Sequence, residues 1–304
     1  MRGGAYVNLQ QLNVFVKAIE LQKLYLVAQK LDITQPTVTF HLNKLQEELG
    51  VALFHTKSYH VIKLTEAGKA FYHYARKICA LSAEAEAMMD VYRDAENGRL
   101  AIGSTHTPAT YLLPPLLEQL KGRSPKLTVH LDVRPASVIM EKIRQYELDL
   151  GVVSQTNIED PQLLVQPIVR DDLVLIYGPR HPFAESGEIT LEELARHPFI
   201  SHEEGSISRQ LIDNWAKTNG IKPNITMEVS GSEALKAAVQ RRIGYGMIAE
   251  ASIRDDLREG KLLSSPIPNW VPGRFIYLVQ HRNKLISPAM QSFRELLENH
   301  FPLA

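Results

Sequence analysis

The stretch "TQPTVTFHLNK", residues 34–44, carries side chains suited to the edges of base pairs. A Gln amide pairs bidentately with adenine, a Thr methyl meets the methyl of thymine, and a Lys ammonium reaches guanine or a phosphate. Gln35, Thr37, Phe40, His41, Asn43 and Lys44 all lie off the apolar stripe Val38, Leu42, Leu45 and Leu49, whose spacings of four, three and four mark one buried helix face. A second group of side chains suits anions. In "GSTHTPATYLLPP", Ser104, Thr105 and Thr107 place hydroxyls beside the free amides of a helix start, and in "HEEGSISRQ", Ser206, Ser208 and Arg209 do the same at another strand-to-helix turn. Two such turns facing across a cleft would clamp a small carboxylate or similar anion. Ser137, in "RPASVIMEKI", is either a third wall of that pocket or a helix cap. Plain capping is the competing account for each of these hydroxyls.

Catalytic patterns are absent or misplaced. "GYGMIA" at 244–249 matches a loose dinucleotide pattern but opens no helix. No G-x-S-x-G elbow occurs, and the single cysteine, Cys79, has neither a disulfide partner nor companions for a zinc site. His197, His202, Glu203 and Glu204 resemble metal ligands in type, yet loop residues beside a cleft are the simpler reading. A non-enzyme with no metal and no cofactor is expected.

The base-reading row needs a helix to present it, and the surrounding pattern supplies one. Leu9 to Glu20, Leu24 to Leu31 and Thr34 to Leu49 read as helices; Asp32 and Ile33 separate the last two, Thr34 caps the third, Pro36 sits in its first turn and Gly50 ends it. A short helix, a tight turn and a helix with a polar N-terminus make a helix-turn-helix, whose second helix enters the major groove. "VALFHTKSYHVIKLTEAG" then reads as a small hairpin or wing, with Lys57, His60 and Lys63 placed for phosphate. From Thr65 to about Asn97 runs one long helix. Its apolar residues Phe71, Tyr74, Ile78, Leu81, Ala85 and Met88 follow a heptad rhythm, which predicts pairing with a second copy and a roughly palindromic DNA site.

Beyond Gly98 the pattern turns to α/β. "RLAIGS", "LTVHLDV" and "DLGVV" alternate with helices at Pro114 to Gly122 and Ser137 to Tyr146; "LVLIYG", "FISHEE", "ITMEV" and "GYGMIA" repeat the rhythm with helices at Ser208 to Asn219 and Ser232 to Arg241; "RFIYLVQH" and a helix from Ser287 to His300 complete it. Two sheets with a cleft between them are expected.

Composition fits. The chain has 304 residues, 44% hydrophobic and 22% charged, which is an ordinary globular chain of two or three domains. No apolar run is long enough to cross a bilayer and no secretory leader is visible, so a cytoplasmic protein without membrane contact is expected. The 34 basic and 34 acidic residues cancel, but residues 1–77 hold ten Lys or Arg against five acids, leaving 24 against 29 elsewhere. A basic front end points to a polyanion partner for that part alone.

Along nearly its whole length the chain resembles the LysR-type transcriptional regulators. "LQQLNVFV", "TQPTVTFHLNKLQEELGVALF", "LTEAG", "YLLPPLLEQL", "DLGVV" and "SEALKAAV" carry the resemblance. It implies an α+β multidomain chain: a winged helix-turn-helix at 1–64, a dimerising linker helix at 65–97, and an effector domain similar to periplasmic binding proteins, with one subdomain at 98–170 plus 272–304 and another at 171–271. The implied partners are promoter DNA, a small effector and further copies as a dimer or a dimer of dimers, with RNA polymerase a further candidate. Thr34, Gln35, Pro36, Thr37 and Thr39 match the family's recognition-helix start. Lys23, Tyr25 and Leu26 stand where the family has small hydroxyl residues and Arg, Phe40 and Asn43 where Arg is frequent, and the wing lacks an Arg-rich turn. These departures bear on affinity and preferred sequence. A ligand-sensing module with degenerate DNA binding is the alternative they raise. Thr105-His106-Thr107 resembles the segment with which sulfur-assimilation members hold an oxyanion, which implies a sulfur-linked effector as one alternative.

Overall fold

The computed structural model describes residues 7–55, 62–93 and 98–301, without the side chains of residues 87, 88 and 90–93. It divides into two compact units, one built from the residues up to Arg93 and one from most of the remainder.

The first unit holds α1 (Leu9–Leu21), α2 (Leu24–Leu31), α3 (Gln35–Leu49) and α4 (Glu66–Arg93). Local chemistry sets most of the boundaries. Asn8 and Gln11 form a capping box at the start of α1. Asp32 takes a left-handed conformation, φ 52°, to end α2, and the Ile33 amide then donates back to the Ala28 carbonyl at 3.0 Å. Thr34 caps α3 by accepting from the Thr37 amide, and Gly50 closes it at φ 66°. Val38, Leu42 and Leu45 are fully buried against Leu12, Phe15 and Val27, while Leu49 packs at the margin. Gln46 turns the chain after α3: its Oε1 accepts from the amides of Leu53 at 2.8 Å and Phe54 at 3.3 Å. Phe54 pairs with Leu64 in an antiparallel bridge, which is the base of the expected hairpin. Its tip, including Lys57 and His60, lies outside the described residues.

The start of α4 is locked to that base. The Thr65 hydroxyl donates to the Ala52 carbonyl at 2.7 Å and accepts from the Gly68 amide at 3.0 Å. A β-carbon at Gly68 would stand 2.1 Å from the Leu53 carbonyl oxygen, so only glycine permits this approach. Phe71 belongs to the core, its ring 5.4 Å from that of Phe15, and so leaves the expected outward seam. The exposed apolar row begins at Tyr74, 63% exposed, and continues with Ile78 and Leu81, both 45%, and Ala85; the Met88 side chain falls outside the described set.

The second unit contains two five-stranded sheets of one plan. Its strands are β1 (Arg99–Ser104), β2 (Thr128–Val133), β3 (Leu150–Gln155), β4 (Leu163–Arg170), β5 (Leu173–Tyr177), β6 (Pro198–His202), β7 (Asn224–Val229), β8 (Tyr245–Ala249), β9 (Leu263–Ser265) and β10 (Phe275–His281). Its helices are α5 (Leu113–Arg123), α6 (Ala136–Arg144), α7 (Leu191–Arg196), α8 (Ile207–Thr218), α9 (Ser232–Gln240), α10 (Arg254–Arg258) and α11 (Pro288–His300). The first sheet runs β2-β1-β3-β10-β4 and the second β7-β6-β8-β5-β9, each with its fourth strand antiparallel to both neighbours and the other adjacent strands parallel. The chain leaves the first sheet after Arg170 and returns to it at Phe275. At these crossings the Asp171 amide donates to the Arg274 carbonyl at 3.0 Å.

Several elements were not legible in the sequence. "LLVQPIVR" forms β4 despite Pro167, which an edge strand tolerates because one side of it makes no ladder. The short β9, α7 and α10 have too few residues for a period to show. A π-helical turn, Pro108–Leu112, precedes α5.

Gly68→Ala is expected to destabilise the N-terminal unit by about 1–3 kcal/mol, the range for overpacking. Thermal denaturation of the full-length variant, followed by circular dichroism, reads this directly; an unchanged transition refutes the close approach to Leu53.

Candidate functional site

Two surfaces combine the residues singled out by type. The first is the outer side of α3. Gln35, Pro36, Phe40, Asn43 and Lys44 are exposed, with Thr37, Thr39 and His41 half-buried beside them. Not all are equally free to read bases. The Thr34 oxygen is taken up by capping and lies 2.8 Å from the Thr37 hydroxyl, and the Thr39 hydroxyl donates to the Gln35 carbonyl at 3.3 Å. These groups hold the helix start. Lys44 stands 5.8 Å from the centre of the Phe40 ring and 3.8 Å from Glu48, so part of its charge is already balanced. Phe40 and Tyr25 expose 58% and 56% of their surface, an amount that no packing requirement explains. Glu48 in turn accepts from the Gln11 amide at 2.9 Å, tying α3 to α1.

The second surface lies where the two sheets exchange chain. Arg274, whose side chain is only 2% exposed, is the centre of it. Its Nε and Nη2 both donate to Asp171 Oδ2, at 2.9 and 2.6 Å; Nη1 donates to the Ser208 hydroxyl at 2.7 Å, and Nη2 lies 3.4 Å from the Thr107 hydroxyl oxygen. Ser154 donates a third hydrogen bond to Asp171 Oδ2, at 2.8 Å, and the Ser154 amide donates to the Thr105 hydroxyl oxygen at 2.9 Å. Thr105 and Thr107 follow β1, Ser154 is in β3, and Ser208 is in the first turn of α8 after β6. One guanidinium therefore draws hydroxyls from the strand-to-helix turns of both sheets into one cluster. Asp171, Arg274 and Ser154 were not singled out by sequence; the only signal available was a charged residue at each end of a strand boundary.

The other expected anion ligands are placed differently. Ser104 is fully buried and its hydroxyl faces the carbonyls of Val152, at 2.9 Å, and Thr105, at 3.0 Å. Ser206 caps α8. Arg209 is committed to Asp213 at 2.9 Å and Glu228 at 3.1 Å, and also donates to Ser201 and the His202 carbonyl. Ser137 is exposed in the first turn of α6 and stands apart from the cluster's hydrogen bonds. His202 is buried and donates from Nε2 to the Met247 carbonyl at 2.8 Å. Burial pushes its imidazole pKa down, Arg274 and Arg209 add to this, and the bond to Met247 opposes it. The ring thus serves the fold as a donor to β8.

Thr107 also walls a cavity of about 300 Å³ with Tyr111, Pro115, Val169, Lys236 and Phe301. Lys236 lies 5.2 Å from the Tyr111 ring centre and pairs with Asp256 and Glu233, both at 2.9 Å, and the Tyr111 hydroxyl bonds to Glu233. Among the described residues, no group of three or more His, Cys, Asp or Glu could hold a metal ion, and no helix is long and apolar enough to cross a membrane. Cys79 packs half-buried on the N-terminal core, where burial raises its thiol pKa.

The sequence and the fold have counterparts in known proteins. Residues 9–69 match the model of the "Bacterial regulatory helix-turn-helix protein, lysR family", and residues 93–302 match the "LysR substrate binding domain". The chain is 31% identical to the uncharacterized HTH-type transcriptional regulator YwqM of Bacillus subtilis over 97% of this chain and 100% of that one. Full-length CbnR complexed with its target DNA shares the fold with a TM-score of 0.69 at 22% identity, over 96% of this chain and 99% of that one. The regulatory domain of CcmR from Synechocystis PCC6803, in complex with 2-PG, matches with a TM-score of 0.60 at 25% identity, over 67% of this chain and 97% of that one.

Arg274→Ala is expected to cost about 3–5 kcal/mol, because it leaves Asp171 charged, buried and unpaired, whereas replacing both with apolar residues (D171L together with R274M) should recover much of that loss. Urea denaturation of the two variants measures the difference, and equal losses would contradict a buried pair.

Proposed function

The chain belongs to the LysR family of bacterial transcriptional regulators, and on that premise we propose that a small anion, bound at the Arg274 cluster, sets how it engages promoter DNA. The regulator has a DNA-binding helix-turn-helix and an effector-binding domain. Its family consists of transcriptional regulators rather than enzymes, and we read this chain as non-catalytic. It works where promoter DNA is, in the cytoplasm.

The single observation that supports an anionic effector is the guanidinium of Arg274, held between Thr107 of one sheet's turn and Ser208 of the other's. An anion entering this cluster adds acceptors to a fork already oriented by Asp171, and the hydroxyls of Thr105, Thr107 and Ser208 are at hand to donate to it. Because the two turns come from different sheets, such a ligand favours whichever arrangement of the sheets lets both turns reach it. Its differential affinity for that arrangement is what shifts the population.

On the DNA side, Gln35 is the residue best placed to read a base, and the remaining exposed residues of α3 position the helix on the backbone. Tyr74, Ile78 and Leu81 form an apolar row on α4 that a second copy of the chain would cover. Two-fold pairing then calls for an interrupted dyad in the operator. A dimer of dimers and contact with RNA polymerase extend this reading.

Selection of genomic fragments on the purified protein at moderate salt tests the proposal: a few promoters sharing an interrupted dyad should be retained. Gln35→Ala should relax sequence preference by about 1–3 kcal/mol at one base position and leave nonspecific affinity nearly unchanged. Equal loss on every DNA would remove Gln35 from base reading. Leu81→Asp should convert the dimer to monomer in sedimentation velocity and weaken operator binding; an unchanged sedimentation profile would exclude α4 as the interface.

A further inference from the structure

Asp171 uses its two oxygens very unequally. Oδ2 accepts three hydrogen bonds, two from Arg274 and one from Ser154. Oδ1 is buried and has no hydrogen-bond partner among the described residues. A carboxylate oxygen removed from water with no donor is costly, so one that sits in a polar cluster calls for an explanation. The cluster around it is already a neutral set, since the guanidinium charge is cancelled by Asp171 itself. A bare oxyanion placed on Arg274 would face Oδ1 across a short distance, and two negative groups would then share one desolvated site.

We propose that the effector carries two groups: an acidic one received by Arg274 with Ser208 and Thr107, and a hydrogen-bond donor close to it, a hydroxyl or an ammonium, received by Asp171 Oδ1. This rests on the reading of the Arg274 cluster as the effector site. The donor must be a near neighbour of the acid in the ligand, because Oδ1 belongs to the same carboxylate whose other oxygen is 2.6 Å from Arg274 Nη2. Hydroxy acids, amino acids and hydroxylated phosphate esters fit, while sulfate and simple carboxylates leave Oδ1 uncompleted. Asp171 is thus a specificity-determining residue. It rejects ligands lacking the donor, because binding them would bury its oxygen unpaired.

The experiment is calorimetric titration of the full-length protein with matched acids at millimolar concentration: lactate and glycerate against propionate, shikimate against cyclohexene-1-carboxylate, and sulfate as the bare oxyanion. The hydroxylated member of each pair should bind about tenfold or more tightly, the loss expected for one hydrogen bond to a charged group. In Asp171→Asn, which offers an amide in place of one oxygen, that preference should collapse while affinity for propionate or sulfate rises. If Asp171→Asn fails to fold, the matched pairs in the unmodified protein still decide. Equal affinity within the pairs, or sulfate binding as tightly as the hydroxy acids, overturns the donor requirement and leaves the anionic reading standing. Binding of none of these acids overturns the anionic reading itself.

Discussion

A buried ion pair joins the two crossings between the sheets of the C-terminal unit. Asp171 and Arg274 are 103 residues apart in sequence, yet their side chains share two hydrogen bonds and their backbones a third. Removing two charges from water is expensive, and the attraction between them offsets this only when the geometry is good and the remaining donors are satisfied. That requirement explains the neighbours. Ser154 completes Oδ2, and Ser208 and Thr107 occupy the outer nitrogens of the guanidinium. β3, the turn after β1 and the start of α8 each bring one hydroxyl to the pair. The oxygen that remains unsatisfied is the one that the proposed donor group of the effector would complete.

The N-terminal unit works by a different principle. Its precision comes from caps and close packing rather than from charge. Thr34, Asp32 and Gly50 set where α3 begins and ends, the stripe Val38, Leu42 and Leu45 sets which face is buried, and Gln46 and Glu48 fix its C-terminal half to the rest of the domain. A reading helix has to be rigid, because hydrogen bonds to base edges discriminate only when the side chains arrive in one geometry. Gly68 serves the same end at a distance: by letting α4 touch the Leu53 carbonyl, it holds the base of the hairpin against the helical core.

The helix-turn-helix was legible because each of its signals is local. A capping Thr, a proline in the first turn, a closing glycine and a 3.6-residue apolar period all act within one turn or two. The α/β rhythm of the C-terminal unit was legible for the same reason. Phe71 shows where local reading fails: it keeps the heptad rhythm of α4, yet in space it meets Phe15 and joins the domain core. Periodicity says that a face is apolar and leaves open what covers it. Arg209 shows the converse. A cation at a strand-to-helix turn looks free in sequence, and Asp213 and Glu228 neutralise it in the fold.

The sequence by itself determined the types of the longer elements, the order of helix-turn-helix, long helix and paired α/β sheets, and which face of α3 is buried, since all of these follow from interactions between residues a few positions apart. The tertiary structure alone decided which hydroxyls meet in one place, that Ser104 is buried, and that Asp171 and Arg274 form the centre of the cluster. Those outcomes depend on contacts spanning from 17 to 167 residues, as in Ser154 with Asp171 and Arg274 with Thr107. No pattern in the chain encodes such distances, because the residues become neighbours only after both sheets have formed.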